Sequence, residues 1–505
     1  MLVNSVTGLP ALSTGQYFYM TLVDQASVVG NISPPVQREV VKVTAVVGTT
    51  LTIVRGLDGT TAQNFIAGDY VQNRINALAL FDLANYSALS YTDSLTGAVP
   101  RSVQSKFDDI VSVKDFGAKG DGVTDDTTSI QTALTALTSG GTLYFPAGTY
   151  VISAALSITN SNVSLVGAGK STKILTSSAT VDVFTVGDGI SAINNFTASD
   201  FSIDASVAKS AGFAFNVRYG GRTRIDNVFI SPPENVLPTP NMKHGIFFNR
   251  FDYATVSRCS IIVSGTCIQA QGNNDQSFGA GLFIHGGNKF YTNNVAGSIG
   301  LYLGGACGGV YVDGSDFIAC ENNIVLDSAL AGVNNRELFV MGGTSLDSAG
   351  YAGILARAAS IAFLHVKNVW INNCGVTNSG GPGVLLASPQ PAGGFVEFVG
   401  CHIGSNAGGG IVDNSWQMTV DGCTIINNGV TTGGHGIYFP AITSNFTLTG
   451  NTIMNNGIAA TGYGINIIAG CNNYVVVGNN IRQNLQGQLN DAGGPNKQVS
   501  ANLLT

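Results

Sequence analysis

Through roughly its last three hundred residues, this 505-residue chain repeats itself about every 28. The apolar residues Phe201, Phe229, Ile261, Phe290, Phe317, Leu346, Trp370, Ile403, Ile425, Ile453 and Ile481 mark the repeat. Two positions before each of them stands Ser, Thr, Asn or Cys. Three positions before, glycine recurs as Gly287, Gly314, Gly343, Gly400, Gly422, Gly450 and Gly478. Three positions after, asparagine recurs as Asn293, Asn373, Asn406, Asn428, Asn456 and Asn484. A period of this length, with short β-type segments and no helical heptads, is the mark of a solenoid of stacked coils.

Numbered from the anchor as 0, each repeat holds a five-residue strand between the glycine at −3 and the asparagine at +3. Side chains at −2, 0 and +2 should face inward, and those at −1 and +1 outward. The glycine suits a corner that needs positive φ. Asparagine tolerates the left-handed conformation, and its amide can bond the asparagine one coil away. Shared by six coils, these asparagines read as a ladder rather than as sugar ligands. The −1 set is mostly polar (Asp200, Ser260, Lys289, Asp316, Ser345, His402, Thr424, Thr452 and Asn480), as a solvated sheet requires. The +1 set includes Ile230, Ile262, Ile318, Ile371 and Ile426. Five isoleucines on an outward face need a cover. Other copies of the chain in a homotrimer are the simplest one; the alternative is a kinked strand that turns +1 partly inward.

Composition excludes several function classes. Charged residues are 10% of the chain, against roughly 25% in ordinary soluble domains; with 65 glycines this favours an all-β fold with many corners. The net charge of −7 is spread thinly, with no basic cluster to follow a phosphate backbone, so no nucleic-acid partner is expected. No run of 18 apolar residues argues for membrane insertion. The N-terminus lacks a basic n-region and an apolar h-region, so no signal peptide is expected. The eight cysteines contain no C-x-x-C pair, and they read as packed thiols rather than as a metal site.

Residues 1–85 stand outside the repeat. Tyr17-Phe-Tyr-Met-Thr-Leu-Val, Glu39-Val-Val-Lys-Val-Thr and Thr50-Leu-Thr-Ile-Val alternate as strands, with a hairpin turn at Gly48. Residues 75–91 suit a short helix, and residues 86–112 a helical or neck-like linker. Residues 113–490 are assigned to the solenoid and 491–505 to a short tail, and no separate C-terminal domain is expected. Asp125-Asp-Thr-Thr-Ser-Ile-Gln-Thr-Ala-Leu is amphipathic, with Thr124 or Asp125 as N-cap and Gly140-Gly141 as its end. Such a helix can cover the first open coil.

Val113-Lys-Asp-Phe-Gly-Ala-Lys-Gly-Asp-Gly-Val-Thr-Asp-Asp-Thr, followed by Gly141-Thr-Leu-Tyr-Phe-Pro-Ala-Gly-Thr-Tyr, resembles the opening segment of pectate-lyase-like right-handed parallel β-helices. Arg101-Ser-Val-Gln-Ser-Lys-Phe-Asp-Asp-Ile is similar to the neck of bacteriophage tailspikes. Residues 39–74, including Arg55-Gly-Leu-Asp-Gly-Thr, resemble a virion-attachment module of phage tail proteins. The resemblance implies an all-β right-handed parallel β-helix with an N-terminal capping helix, behind a small β-rich particle-attachment domain. It also implies a homotrimer on the virion, bound to phage tail or baseplate proteins through residues 1–85. The implied target is a bacterial surface polysaccharide, recognised and cleaved as by a glycoside hydrolase.

Glycan hydrolysis needs two carboxylates, about 5–5.5 Å apart for retention and about 6.5–9.5 Å for inversion. Asp316 at −1 and Asp347 at +1 lie on adjacent coils, at roughly 8 Å by strand geometry. Glu321 at the following corner is a third candidate, and Lys289 and Tyr291 are candidate substrate-binding residues. The same carboxylates would also suit an inert solvated sheet. Asp313-Gly314 and Asp421-Gly422 share one repeat position and read as turns. Gly434-His435-Gly436 is similar to a polygalacturonase motif, but that family's Asn-Thr-Asp, Asp-Asp and Arg-Ile-Lys partners are missing from the coils. A polysaccharide lyase could draw on Tyr291, Lys289 and His285. A non-enzymatic receptor-binding adhesin, or a carbohydrate enzyme unrelated to phage, would also fit these residues. No cofactor or metal is expected.

Overall fold

A computed structural model describes all residues except 8, 10, 24–36, 68, 73–89, 232–240, 273–278, 306, 328–334, 358–360, 376, 378–379, 388–393 and 415–416. The helix expected over 75–91 falls largely on these and lies outside the described residues. The chain forms two compact units, Met1–Asp109 and Ile110–Thr505.

In the first unit, Arg38–Val47 and Thr50–Leu57 form the hairpin, and Gly48 takes φ 57° at its turn. Phe18–Val23 and Tyr70–Gln72 complete a four-stranded antiparallel sheet. Met20, Leu22, Val41, Val43 and Leu51 form its core. The Arg55-Gly-Leu-Asp-Gly-Thr motif closes on a buried carboxylate. Arg55 donates to both oxygens of Glu39 at 3.0 and 2.5 Å, and the amides of Gly56 and Gln63 add bonds of 2.9 and 3.0 Å. Burial pushes the Glu39 pKa up, but these donors outweigh it and hold the group below the usual carboxylate range.

The second unit carries the helix Thr127–Ala136, with Ile130, Ala133 and Leu134 buried. Its N-cap is Asp126, not Thr124 or Asp125, because Asp121–Asp125 is a strand paired with Gly148–Ile152 and keeps the chain extended. Asp125 still accepts the Thr127 amide at 3.0 Å, while Asp126 accepts those of Lys119 and Gly120 at 2.7 and 3.0 Å. Asp121 holds its own turn through the Val123 and Thr124 amides at 2.9 and 2.8 Å.

Beyond the helix each coil carries three short strands, and each strand pairs in parallel with its counterpart one coil on. Gly279–His285, Lys289–Tyr291 and Ile299–Gly304 make one such coil. The first two faces run together as a 30-stranded sheet, and the third is a separate 13-stranded sheet. The unit is the expected all-β right-handed parallel β-helix, the hand that parallel crossovers favour.

Strand pairing corrects the frame at three anchors. One inward ladder runs Ile203, Ile230, Ile261, Phe290, Phe317, Leu346, Ile371, Ile403, Ile425, Ile453, Ile481 and Leu504. Phe201, Phe229 and Trp370 therefore sit two, one and one residues early. The backbone reports the same frame. At each of these twelve rungs position −3 is left-handed: Asp200, Asn227, Arg258 and Asn368 share positive φ with the seven repeat glycines and Ala501. The small polar residues at −2 are then not universal, since Phe201, Val228 and Val369 take that place on their coils. The expected outward isoleucine stripe also dissolves. Ile230 and Ile371 are core rungs, Ile262 is fully buried, and Asp347, Asn372 and Gly404 separate Ile318 from Ile426.

Of the six asparagines at +3, four stack as a buried ladder: Asn406, Asn428, Asn456 and Asn484. Asn293 and Asn373 turn corners at φ 56° and 53° instead. Cys374 fills the rung before Asn406 and donates its amide to the Asn406 side chain at 2.9 Å. A second ladder, Asn451 to Asn479 to Asn502, runs at −2 with bonds of 2.9 and 3.0 Å. All eight cysteines are buried thiols, and burial pushes Cys259, Cys307 and Cys374 up to about 12.

Candidate functional site

The second face presents two outward rows. Lys289, Asp316, Ser345, Trp370 and His402 occupy successive rungs at −1, and Tyr291, Ile318, Asp347, Asn372 and Gly404 the same rungs at +1. Lys289, Tyr291, Asp316 and Asp347 thus share one face over three coils. Asp316 is exposed and Asp347 half-buried. One rung along and two residues across corresponds to about 8 Å between their backbones. Asp347 Oδ1 accepts the Ser348 hydroxyl at 3.1 Å and the Asn373 amide at 3.3 Å, which fixes its carboxylate toward the corner. Tyr291 donates its hydroxyl to Asn293 at 2.9 Å. Glu321 stands apart at the start of the third face, where its Oε2 accepts the Gly297 amide at 2.5 Å and ties down that corner.

The same rows hold a pair that the sequence frame hides. Trp370 is 45% exposed and stacks on His402, with ring centroids 3.9 Å apart and 5° between planes. His402 leans over Gly404, where a Cβ would meet its Nε2 at 3.0 Å. Burial lowers the His402 pKa, which favours the neutral imidazole beneath the indole.

On the first face a longer stack runs outward along the coils. Phe283 meets Tyr311 at 5.1 Å, Tyr311 meets Phe339 at 4.8 Å, and Phe339 meets His365 at 4.7 Å. The next rung is Glu397, which bonds His365 Nδ1 at 2.8 Å and Lys367 at 2.5 Å. Burial pushes Glu397 up, but Lys367 and His365 more than offset it and leave the pKa lowered. No sequence signal singles out this cluster, because its members come together only through cross-coil register.

His435 of the Gly-His-Gly motif is structural. Nδ1 accepts the Tyr463 amide at 2.9 Å and Nε2 contacts Asn466 at 3.0 Å, while burial lowers its pKa to about 4. His244 repeats the device, accepting the Thr266 amide at 3.0 Å with its pKa also lowered to about 4, by burial first and Lys243 second. Among the described residues, no group of three or more His, Cys, Asp or Glu side chains could hold a metal ion.

Two family models match the chain. Rhamnogalacturonase A/epimerase, pectate lyase-like covers residues 110–375, and right-handed β-helix region covers 331–504. Alginate lyase 7 of Azotobacter vinelandii is 52% identical over 66 residues, 12% of this chain and 8% of that protein. The pre-neck appendage protein of Bacillus phage B103 is 33% identical over 133 residues, 25% of this chain and 14% of that protein. The chain therefore spans only a small part of the length of these curated relatives. Among solved structures, bacteriophage CBA120 tailspike protein 3 shares the fold with a TM-score of 0.59 at 14% identity, over 92% of this chain and 72% of that one.

Proposed function

Because the chain belongs to the rhamnogalacturonase A/epimerase, pectate lyase-like family, we propose that its solenoid recognises and hydrolyses a bacterial surface polysaccharide, as the tailspike of a phage. The observation that carries the reading is the pair Asp316 and Asp347, outward on neighbouring rungs of a rigid sheet. Their backbones lie about 8 Å apart by strand geometry, and carboxyl groups held about 6.5–9.5 Å apart leave room for a water beside the glycosidic bond, the geometry of inversion. Asp347, oriented by two hydrogen bonds to Oδ1, takes a proton from that water as it attacks the anomeric carbon. Asp316 gives its proton to the departing glycosidic oxygen. Lys289 on the preceding rung and Tyr291 beside it line the substrate. Glu321, engaged at Gly297, holds the corner next to the site.

The phage setting draws support from the tailspike-like fold, from the short similarity to a phage appendage protein and from residues 39–74. Attachment to tail or baseplate proteins through residues 1–85, the neck at 86–112 and the homotrimer belong to the same proposal. With the isoleucine stripe gone, that stripe no longer argues for the trimer, and light scattering tests it directly. Activity is tested by incubating the protein with surface polysaccharide from bacterial hosts and measuring new reducing ends. Asp316→Asn and Asp347→Asn should each abolish release while leaving binding intact. Unchanged turnover in both would sink this site. Binding without release leaves an adhesin, and products with an unsaturated, ultraviolet-absorbing end mark a lyase.

A further inference from the structure

We infer that the open face of Trp370 is a sugar-stacking subsite, filled by one pyranose ring lying over Ser345 between Trp370 and Asp316. This deepens the polysaccharide reading above and rests on it.

The rungs Asp316, Ser345, Trp370 and His402 follow one another along the −1 row. Adjacent rungs are about 4.8 Å apart. His402 covers one face of the indole. The rung on the other side carries only the hydroxymethyl group of Ser345, and the indole remains 45% exposed. Where this chain builds an aromatic stack for its own sake it fills successive rungs, as Phe283, Tyr311, Phe339 and His365 do on the first face. At Ser345 the series stops one ring short.

The gap has the dimensions of a sugar. A pyranose stacks its C–H face on an aromatic ring at van der Waals distance, about 3.5–4 Å, which puts it level with the Ser345 rung. Asp347 lies two residues along the same strand, on the same side of the sheet. Asp316 lies on the rung beyond, and Asn372 flanks the indole on its own strand. A ring held there lies between the strand positions of Asp316 and Asp347, so the stacking residue and the proposed chemistry address the same sugar. The chemistry selects a pyranose with one uninterrupted C–H face. A rigid aromatic anchored by a neighbouring ring loses little conformational freedom when it binds.

The test uses the full chain and a panel of purified bacterial capsular and O-antigen polysaccharides, with affinity measured for whichever the wild type retains. Trp370→Ala should weaken binding about tenfold or more, and Trp370→Phe should restore part of it. Ser345→Phe should weaken binding as strongly, because its ring fills the gap, without lowering the melting temperature. Unchanged affinity in Trp370→Ala, or in a folded Ser345→Phe, overturns the subsite while the polysaccharide reading stands. If the wild type retains no polysaccharide, the subsite and the reading fall together.

Discussion

Asn428 donates its side-chain amide to Oδ1 of Asn456 at 2.9 Å, and Asn456 repeats the bond to Asn484 at 2.8 Å, all inside the solenoid. Each amide also caps a carbonyl of an earlier coil: Asn428 bonds Ile403 and Asn456 bonds Ile425, both at 3.1 Å. Every donor and acceptor on a rung is therefore matched by its neighbours. Asn428→Leu would strip partners from Asn406, Asn456 and the Ile403 carbonyl at once. Buried orphans cost about 1–3 kcal/mol each, so the substitution should lower stability by at least about 3 kcal/mol in a denaturation series. A loss below about 1 kcal/mol would show that the ladder is ornamental.

Glu39 makes the first unit acid-sensitive. Its ordinary pKa is 4.5 and the folded value lies below it, despite burial, because Arg55 and two amides favour the anion. The stabilisation is fully present above pH 4.5 and is lost as pH falls through the folded pKa. Hydrogen exchange of peptides spanning residues 38–63 in the intact chain should show protection failing there as pH drops below that value. Glu39→Gln should destabilise the hairpin by about 2–3 kcal/mol at neutral pH and remove the pH step; persistence of the step would assign it to another group.

The solenoid should weaken in a higher window. His244 and His435 have folded pKa values near 4 against an ordinary 6.5, with burial the main cause. An unfolded chain takes up these protons below pH 6.5 and the folded chain does not. Stability is thus complete above 6.5, declines as pH falls toward 4, and levels off below it, by up to about 3 kcal/mol per imidazole. Imidazole resonances followed by NMR should titrate near 4. Titration near 6.5 for both would contradict their buried acceptor role.

The corner frame predicts a pair of opposite effects. Gly450 and Ala501 hold the same −3 position on different coils, at φ 64° and 53°. A Cβ on Gly450 would meet nothing closer than 3.7 Å, so Gly450→Ala introduces backbone strain alone. It should cost about 1 kcal/mol, and Ala501→Gly should gain about 0.5–1 kcal/mol. Thermal melts of both variants read the two signs; equal signs would reject the shared corner.

The solenoid is legible in the sequence because its corners make single-residue demands that glycine and asparagine meet coil after coil. Asp316 and Asp347 are legible for the same reason, lying on coils where a glycine fixes the frame. Where Asp200, Asn227, Arg258 or Asn368 holds the left-handed corner, the frame loses its marker. On the coils of Asp200, Asn227 and Asn368 a large aromatic then passes for the inward rung, which is how Trp370 reads as core. The His365–Glu397 contact spans 32 residues and depends on cross-coil register, for which the first face has no marker.

That ambiguity at Trp370 has an energetic test. Ile371 is fully buried between Leu346 and Ile403, whereas Trp370 faces solvent on one side of the His402 ring. Ile371→Ala removes buried methyl groups and leaves a cavity, at a cost of about 2–4 kcal/mol. Trp370→Ala deletes a far larger side chain, yet it should cost no more than about 1 kcal/mol, because the lost contacts lie at the surface. Size alone predicts the reverse order. Chemical denaturation of the two variants decides between them: a larger loss at Trp370 would return the indole to the core and remove the platform on which a sugar could stack.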